Sequence, residues 1–153
     1  MSSKPSSRSP APSLAPPRIV VLGSLNMDLV LRVPHAPAAG ETLIGHSIAN
    51  IPGGKGANQA VSCAREGGQV RMIGCVGNDA HGRALRESLE RDGIDTAALR
   101  TVDAEPTGTA LILVEDSGQN RIVMIPGANA KVEIDEAALR EQVQGAAFLV
   151  MQF

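Results

Sequence analysis

The spacing of apolar and polar residues along this chain predicts an α/β protein. Residues 18–22 and 70–76 are nearly continuous apolar runs, which are typical of strands buried on both faces of a sheet. Between them, Ala57, Ala60 and Val61 recur at the spacing of one helix face. This strand–helix–strand order predicts a mostly parallel sheet between layers of helices.

The other segments are assigned on the same grounds. They are helices over about 80–91 and 135–144, short strands over 29–33 and 43–51, hairpin strands over 109–114 and 121–125, a loop over 102–106, a turn over 127–130, and a last strand from 147. Because this last strand is still apolar where the sequence stops, it would leave an unpaired sheet edge. We therefore expect the sequence to be truncated.

The first 17 residues differ in composition from the rest. They are rich in serine and proline, carry Lys4 and Arg8, and contain no acid, so we expect a disordered tail. Such a composition is also found in organellar transit peptides, but the prolines oppose the amphipathic helix that mitochondrial import favours. A tail without a targeting role is the preferred interpretation.

Composition excludes several function classes. The chain has no Trp and no Tyr and a net charge of −2, which argues against binding nucleic acid through stacking or a basic surface. No apolar run has the length of a transmembrane helix. Cys63 and Cys75 have no partner at metal-binding spacing and are expected to be buried apolar residues; no metal site is predicted.

The segment Pro52-Gly53-Gly54-Lys55-Gly56-Ala57-Asn58 carries the strongest chemical signal. Glycines let a backbone approach a ligand closely, and the free N–H groups of the following helical turn point at it. Lys55 adds a positive charge and Asn58 an amide, which suits a phosphate or a polyol. A glycine-rich turn before a packed helix is the alternative. The segment is not a P-loop, because Gly56 stands where that motif needs Ser or Thr.

A second candidate site follows the first strand. Asn26 and Asp28 come just after residues 18–22, and ligands of open α/β sheets bind beyond the carboxyl ends of the strands. There an amide and a carboxylate could hold sugar hydroxyls. An Asx turn that caps the strand is the alternative.

Together these segments resemble the ribokinase group of the PfkB carbohydrate kinases. The segments that carry the resemblance are Gly23-Ser24-Leu25-Asn26-Met27-Asp28, Gly40-Glu41-Thr42, Gly53-Gly54-Lys55-Gly56-Ala57-Asn58-Gln59-Ala60, Gly74 to Asp79, Thr107-Gly108-Thr109-Ala110 and Gly127-Ala128-Asn129. They occur in the family's order and spacing over residues 18–153, which we take as the N-terminal part of a PfkB kinase domain.

The resemblance implies a fold and an assembly. The expected fold is a three-layer α/β/α domain with a mostly parallel sheet and a small β lid, the lid being formed by residues of about 29–51 and 107–126. It also implies a homodimer through the lid, and a cytoplasmic location.

The resemblance further implies ATP-dependent phosphorylation of D-ribose at the 5-hydroxyl, with Mg²⁺ and a monovalent cation such as K⁺. The substrate-binding residues that carry over are Asn26, Asp28, Gly54, Lys55, Gly56, Ala57 and Asn58, with Ala110 and Ile112 as lid contacts. Lys55 could also offset negative charge near the transferred phosphoryl group.

No catalytic residue is assigned within the sequence. The family's aspartate base lies in a D-T-x-G-A-G-D motif, and no G-A-G-D occurs in this sequence. The ATP and cation sites are expected outside it as well, so we expect these 153 residues alone to have no kinase activity. Two alternatives stay open: a PfkB kinase of another sugar or a nucleoside, and a non-catalytic fragment that binds sugar or dimerises.

Overall fold

The computed structural model describes residues 15–152 and contains two four-stranded sheets. Along the chain the elements are β1 (Arg18–Leu22), β2 (Asn26–Val33), β3 (Ser47–Gly53), α1 (Lys55–Arg65), β4 (Gln69–Gly77), α2 (Ala80–Arg91), β5 (Leu99–Val102), β6 (Thr109–Glu115), β7 (Asn120–Ile125), a 3-10 helix (Gly127–Lys131), α3 (Glu136–Val143) and β8 (Phe148–Met151).

The first sheet has the strand order β5-β4-β1-β8 and is parallel throughout. Alternate residues of β1 face opposite layers, as the two-residue period of a strand requires. Ile19 and Val21 pack in a core with α1 and α2, whereas Val20 and Leu22 pack with α3 and the segment before it. The predicted α/β class, with a mostly parallel sheet between helices, is therefore confirmed.

The second sheet has the order β3-β2-β6-β7 and lies next to the carboxyl end of β1. Within it β2 runs antiparallel to β3 and parallel to β6, and β6–β7 is the predicted hairpin. We call this the small sheet. Apolar side chains are exposed on both of its faces, including the consecutive residues Val123 and Ile122 on β7, which are 62% and 56% exposed.

Several boundaries differ from the sequence-based prediction. β5 was not predicted, since Leu99-Arg100-Thr101-Val102 has only two apolar residues and becomes a strand by pairing with the edge of β4. β2 begins at Asn26 rather than Leu29, because its polar residues continue the alternation of the strand. The predicted turn at 127–130 is a 3-10 helix. The predicted tail lies outside the described residues except for 15–17, which are exposed.

Asp79 joins the two sheets through hydrogen bonds. Its Oδ1 accepts the N–H of Gly82 at 2.7 Å, as the N-cap of α2, and the hydroxyl of Thr107 at 2.6 Å. Its Oδ2 accepts the N–H of Thr107 at 2.8 Å, while the Thr107 hydroxyl oxygen accepts the N–H of Gly77 at 2.9 Å. One carboxylate thus fixes both the start of α2 and the entry of the chain into β6.

We expect Asp79→Ala to lower the free energy of unfolding by about 1–3 kcal/mol at neutral pH, because a helix cap and two bonds to a buried threonine are lost. Burial disfavours the carboxylate, but hydrogen bonds from Thr107 and Gly82 outweigh it and lower the pKa of Asp79. The stability from ionised Asp79 is therefore present above the unfolded-state pKa of about 4 and is lost as pH falls through the lower folded-state pKa.

Urea unfolding of parent and variant, followed by circular dichroism from neutral to acidic pH, measures this difference. The matched control is Glu87→Gln, which removes an exposed acid from the same helix and should change little. A difference between parent and D79A that did not shrink at acidic pH would contradict the assignment.

Candidate functional site

A cleft of about 430 Å³ opens where the carboxyl end of β1 meets the small sheet. The small sheet contributes residues of β2, β6 and β7, with Asp28 paired to Ala110 and Ala110 to Met124 across one of its faces. The first turn of α1 contributes residues beside the start of β2. The lining residues are Ser24, Asn26, Asp28, Gly54, Lys55, Asn58, Ala110, Ile112, Ile122, Met124, Pro126, Asn129 and Gln152. The cleft therefore brings together seven of the nine residues that the sequence analysis singled out.

The glycine-rich segment is held against the turn between β1 and β2. Gly54 is the N-cap of α1 with φ of 95°, and a Cβ on it would lie 2.7 Å from the backbone N of Asn26. A Cβ on Gly56 would lie 2.6 Å from the carbonyl carbon of Gly23. The N–H of Ala57 donates to the Ser24 carbonyl at 3.1 Å. Close backbone contact thus sets the position of α1 relative to β2.

Gly56 and Ala57, both predicted to bind substrate, do not line the cleft. They are buried beneath it, where Ala57 belongs to the core packed on β1. Their part in the site is to allow the helix to pack closely.

Asn26 and Asp28 are two residues apart on β2, so both side chains point to the same face of the strand. Asn26 is only 6% exposed, and the Asp28 carboxylate lies directly against Gly53. Within residues 15–152 the Asp28 carboxylate accepts no side-chain or backbone hydrogen bond. Burial raises the pKa of Asp28, as expected for a carboxylate that loses water without gaining a donor. It is an acceptor open to a ligand.

Lys55 and Asn58 are three residues apart on the first turn of α1 and lie on the same side of the helix. Both are exposed to the cleft and neither forms an ion pair or side-chain hydrogen bond with the described part of the chain. Together with Asp28, these residues present an ammonium group, an amide and a carboxylate to the cleft, and none of the three groups is bound to a described protein partner.

The apolar part of the lining comes from the β6–β7 hairpin, on the same face of the small sheet as Asp28. Ala110 pairs in register with Met124 and Ile112 with Ile122, so four side chains form one patch over the cleft. The sequence analysis identified Ala110 and Ile112 but missed their partners. The pairing of the predicted hairpin strands, together with the two-residue period of a strand, could have identified both Met124 and Ile122 from the sequence.

Four other lining residues were missed: Ser24, Pro126, Asn129 and Gln152. The Ser24 hydroxyl donates to Gln152 Oε1 at 2.6 Å, which closes the floor of the cleft across the ends of β1 and β8. Of the four, Ser24 and Asn129 stand within segments already singled out, and their position there was the one available signal.

A small ligand with several hydroxyl groups matches this arrangement. Hydroxyls can donate to Asp28 and accept from the Lys55 ammonium group and the amides, while the apolar side chains of the hairpin contact the carbon skeleton. Across residues 15–152 no group of three His, Cys, Asp or Glu residues could hold a metal ion. No helix in the same range is long and apolar enough to cross a bilayer.

We expect Gly54→Ala to be far more destabilising than Gly118→Ala. Both glycines have positive φ, 95° and 82°, but a Cβ on Gly118 meets nothing within 4 Å whereas one on Gly54 meets backbone atoms. G118A should cost about 1 kcal/mol from its backbone conformation. G54A should cost about 1–3 kcal/mol more, since backbone must shift. Chemical denaturation of both variants checks this, and equal losses would contradict the close contact.

We expect Asp28→Asn to raise the free energy of unfolding at neutral pH, because folding then no longer desolvates a carboxylate that has no donor. A raised folded-state pKa means that the parent gains stability as pH falls through that pKa, and the variant should lose this dependence. Melting temperatures across pH measure both effects. Asp116→Asn, at a largely exposed acid, is the control; a D28N variant less stable than the parent would contradict the prediction.

Comparison with known proteins supports one family. The pfkB family of carbohydrate kinases matches residues 16–152. Ribokinase of Schizosaccharomyces pombe is 40% identical over 141 residues, which cover 88% of this chain and 44% of that protein. Ribokinase of Haemophilus influenzae is 42% identical over 137 residues, with the same coverage of 88% and 44%. The chain thus spans less than half the length of these curated relatives.

Solved structures give the same result. The chain superposes on Thermotoga maritima ribokinase with a TM-score of 0.77 at 40% identity, covering 87% of this chain and 44% of that one. Arabidopsis thaliana ribokinase complexed with ribose and ATP gives 0.80 at 35% identity, covering 90% and 45%. With the sequence match over nearly all of the described residues, these similarities show that the chain belongs to the pfkB family of carbohydrate kinases.

Proposed function

We propose that this chain is the sugar-binding part of a kinase that transfers the γ-phosphoryl group of ATP to the 5-hydroxyl of D-ribose. The observation that carries the proposal is that the polar side chains of Asn26, Asp28, Lys55 and Asn58, from β2 and α1, line one cleft. Their chemistry suits a polyol, and the relatives that match most of this chain are ribokinases.

The proposed roles follow from the geometry. Asp28 and Asn26 bind hydroxyl groups from the β2 side, and Asn58 binds from the α1 side together with the backbone of Gly54. Lys55, at the N-terminal end of α1, offsets negative charge that develops on the transferred group. The β6–β7 hairpin covers the sugar through Ala110 and Ile112 and through the paired residues Ile122 and Met124. A covered cleft excludes water, which favours transfer to the sugar over hydrolysis.

ATP is the proposed phosphoryl donor on the strength of the family and of the Arabidopsis thaliana ribokinase complexed with ribose and ATP. The proposal places the Mg²⁺ and K⁺ that the resemblance implies outside the described residues, which contain no group of three His, Cys, Asp or Glu residues that could hold a metal ion. The sequence contains no G-A-G-D segment either, and the proposal assigns sugar binding, not the catalytic base, to these residues.

A homodimer through the small sheet is part of the proposal. Its support is the exposed apolar surface of β3 and β7, which includes Ile48 at 66% and Val123 at 62% exposure. On the family resemblance alone, we also propose that the protein acts in the cytoplasm.

Isothermal titration of the chain with D-ribose, D-fructose and adenosine tests the proposal. We expect D-ribose to bind most tightly and Asp28→Asn to weaken its binding by about 10- to 100-fold, because hydrogen bonds to a charged acceptor are lost. Asp116→Asn should bind like the parent, since Asp116 is on the β6–β7 loop and does not line the cleft. Tighter binding of another compound would redirect the proposal to that substrate.

A second measurement separates sugar binding from turnover. ADP formation by the 153-residue chain with D-ribose and ATP should stay at the level of a blank. Ribose-dependent ADP formation by this chain would overturn the assignment of sugar binding alone to these residues.

A further inference from the structure

We infer that Asn129 is a positioning residue, which turns the Asn26 amide so that its N–H donors, and not its oxygen, face the substrate. The inference rests on the proposed function, since it concerns what Asn26 offers to a hydroxyl group. Asn129 lies in the 3-10 helix that follows the small sheet, 103 residues from Asn26 in sequence.

The Asn129 side chain pairs with the backbone of the β1–β2 turn. Its Oδ1 accepts the N–H of Leu25 at 2.9 Å, and its Nδ2 donates to the Leu25 carbonyl at 2.8 Å. The amide group thus binds both polar groups of one buried residue, as a neighbouring strand would. Gly54 packs on the same turn, where a Cβ would lie 2.8 Å from the Leu25 Cα.

The same Nδ2 also donates to the side chain that lines the cleft. It lies 2.9 Å from Oδ1 of Asn26, so that oxygen is already engaged by a protein donor on one side of the amide. The Asn26 Nδ2 is left on the other side, 3.6 Å from the Met124 sulfur, which is a weak acceptor. Because the Asn26 side chain is buried and Asn129 supplies a donor, the reverse orientation would place two N–H groups against each other.

This orientation has a consequence for recognition. Asp28, on the same face of β2, presents only acceptor oxygens when ionised, whereas Asn26 presents a donor. A hydroxyl group can then act both as a donor, with its proton toward Asp28, and as an acceptor, with a lone pair toward the Asn26 N–H. A reversed Asn26 would present a second acceptor and leave that lone pair unbound.

The test is a double-mutant cycle on D-ribose affinity in the full chain. Asn129→Asp keeps an acceptor for the Leu25 N–H but has no donor for Asn26, whose amide would then reverse. We expect N129D to weaken ribose binding about 10- to 100-fold in the parent and by less than about threefold in an Asn26→Ala background. A loss of the same size in both backgrounds would overturn the inference. The control is Asn120→Asp, an exposed residue at the far end of β7, which should leave affinity unchanged.

A second variant keeps the test decisive if N129D fails to fold. Asn26→Asp can still accept from Asn129 but presents no donor to the cleft. We expect it to keep its melting temperature and to lose ribose affinity about tenfold or more. Unchanged affinity in N26D would overturn the inference.

Side-chain amide signals in nuclear magnetic resonance separate this inference from the proposed function. The Asn129 amide protons should exchange slowly with water in the parent and faster in Asn26→Ala, whether or not ribose binds. If the parent binds no ribose, the proposed function fails while these signals still decide the orientation. Asn129 signals that N26A leaves unchanged would overturn the inference.

Discussion

The site depends on the close backbone contact between the glycine-rich segment and the turn that joins β1 to β2. Gly54 and Gly56 approach this turn so closely that a Cβ on either would meet backbone atoms at 2.6–2.7 Å. The contact makes the first turn of α1 and the start of β2 adjacent walls of one cleft. Without it, Lys55 and Asp28 would belong to separate surfaces, and neither the charge pattern nor the depth of the cleft would exist.

The same construction has an energetic cost at Asp28. Burial of a carboxylate without a hydrogen-bond donor is unfavourable for folding, and the same loss of hydration raises the pKa of Asp28. A ligand hydroxyl supplies the missing hydrogen bond, so the free energy that folding does not recover becomes available to binding. This is a physical reason why an acceptor in a binding cleft is left unpaired, while Asp79, which has a structural role, is fully hydrogen-bonded.

Two polar side chains connect the small sheet to the parallel sheet. Asp79 holds the chain where it enters β6, and Asn129 holds it where it returns from β7. Both contact segments at the carboxyl ends of the parallel strands, so the hairpin that covers the cleft is anchored at each end. The hairpin is thereby held in place over the carboxyl end of β1, as a preorganised site for a small ligand requires.

Local patterns were enough to predict the α/β class, the hairpin, and the cleft residues Asn26, Asp28, Lys55 and Asn58. Each of these predictions depends on the apolar pattern or the glycine spacing within a short segment of the sequence. β5 could not be predicted, since its pairing with β4 makes it a strand. Gln152 and Asn129 are brought to the cleft by tertiary contacts with the turn between β1 and β2. The Asn129–Asn26 bond joins residues 103 apart, and no local period encodes such a contact.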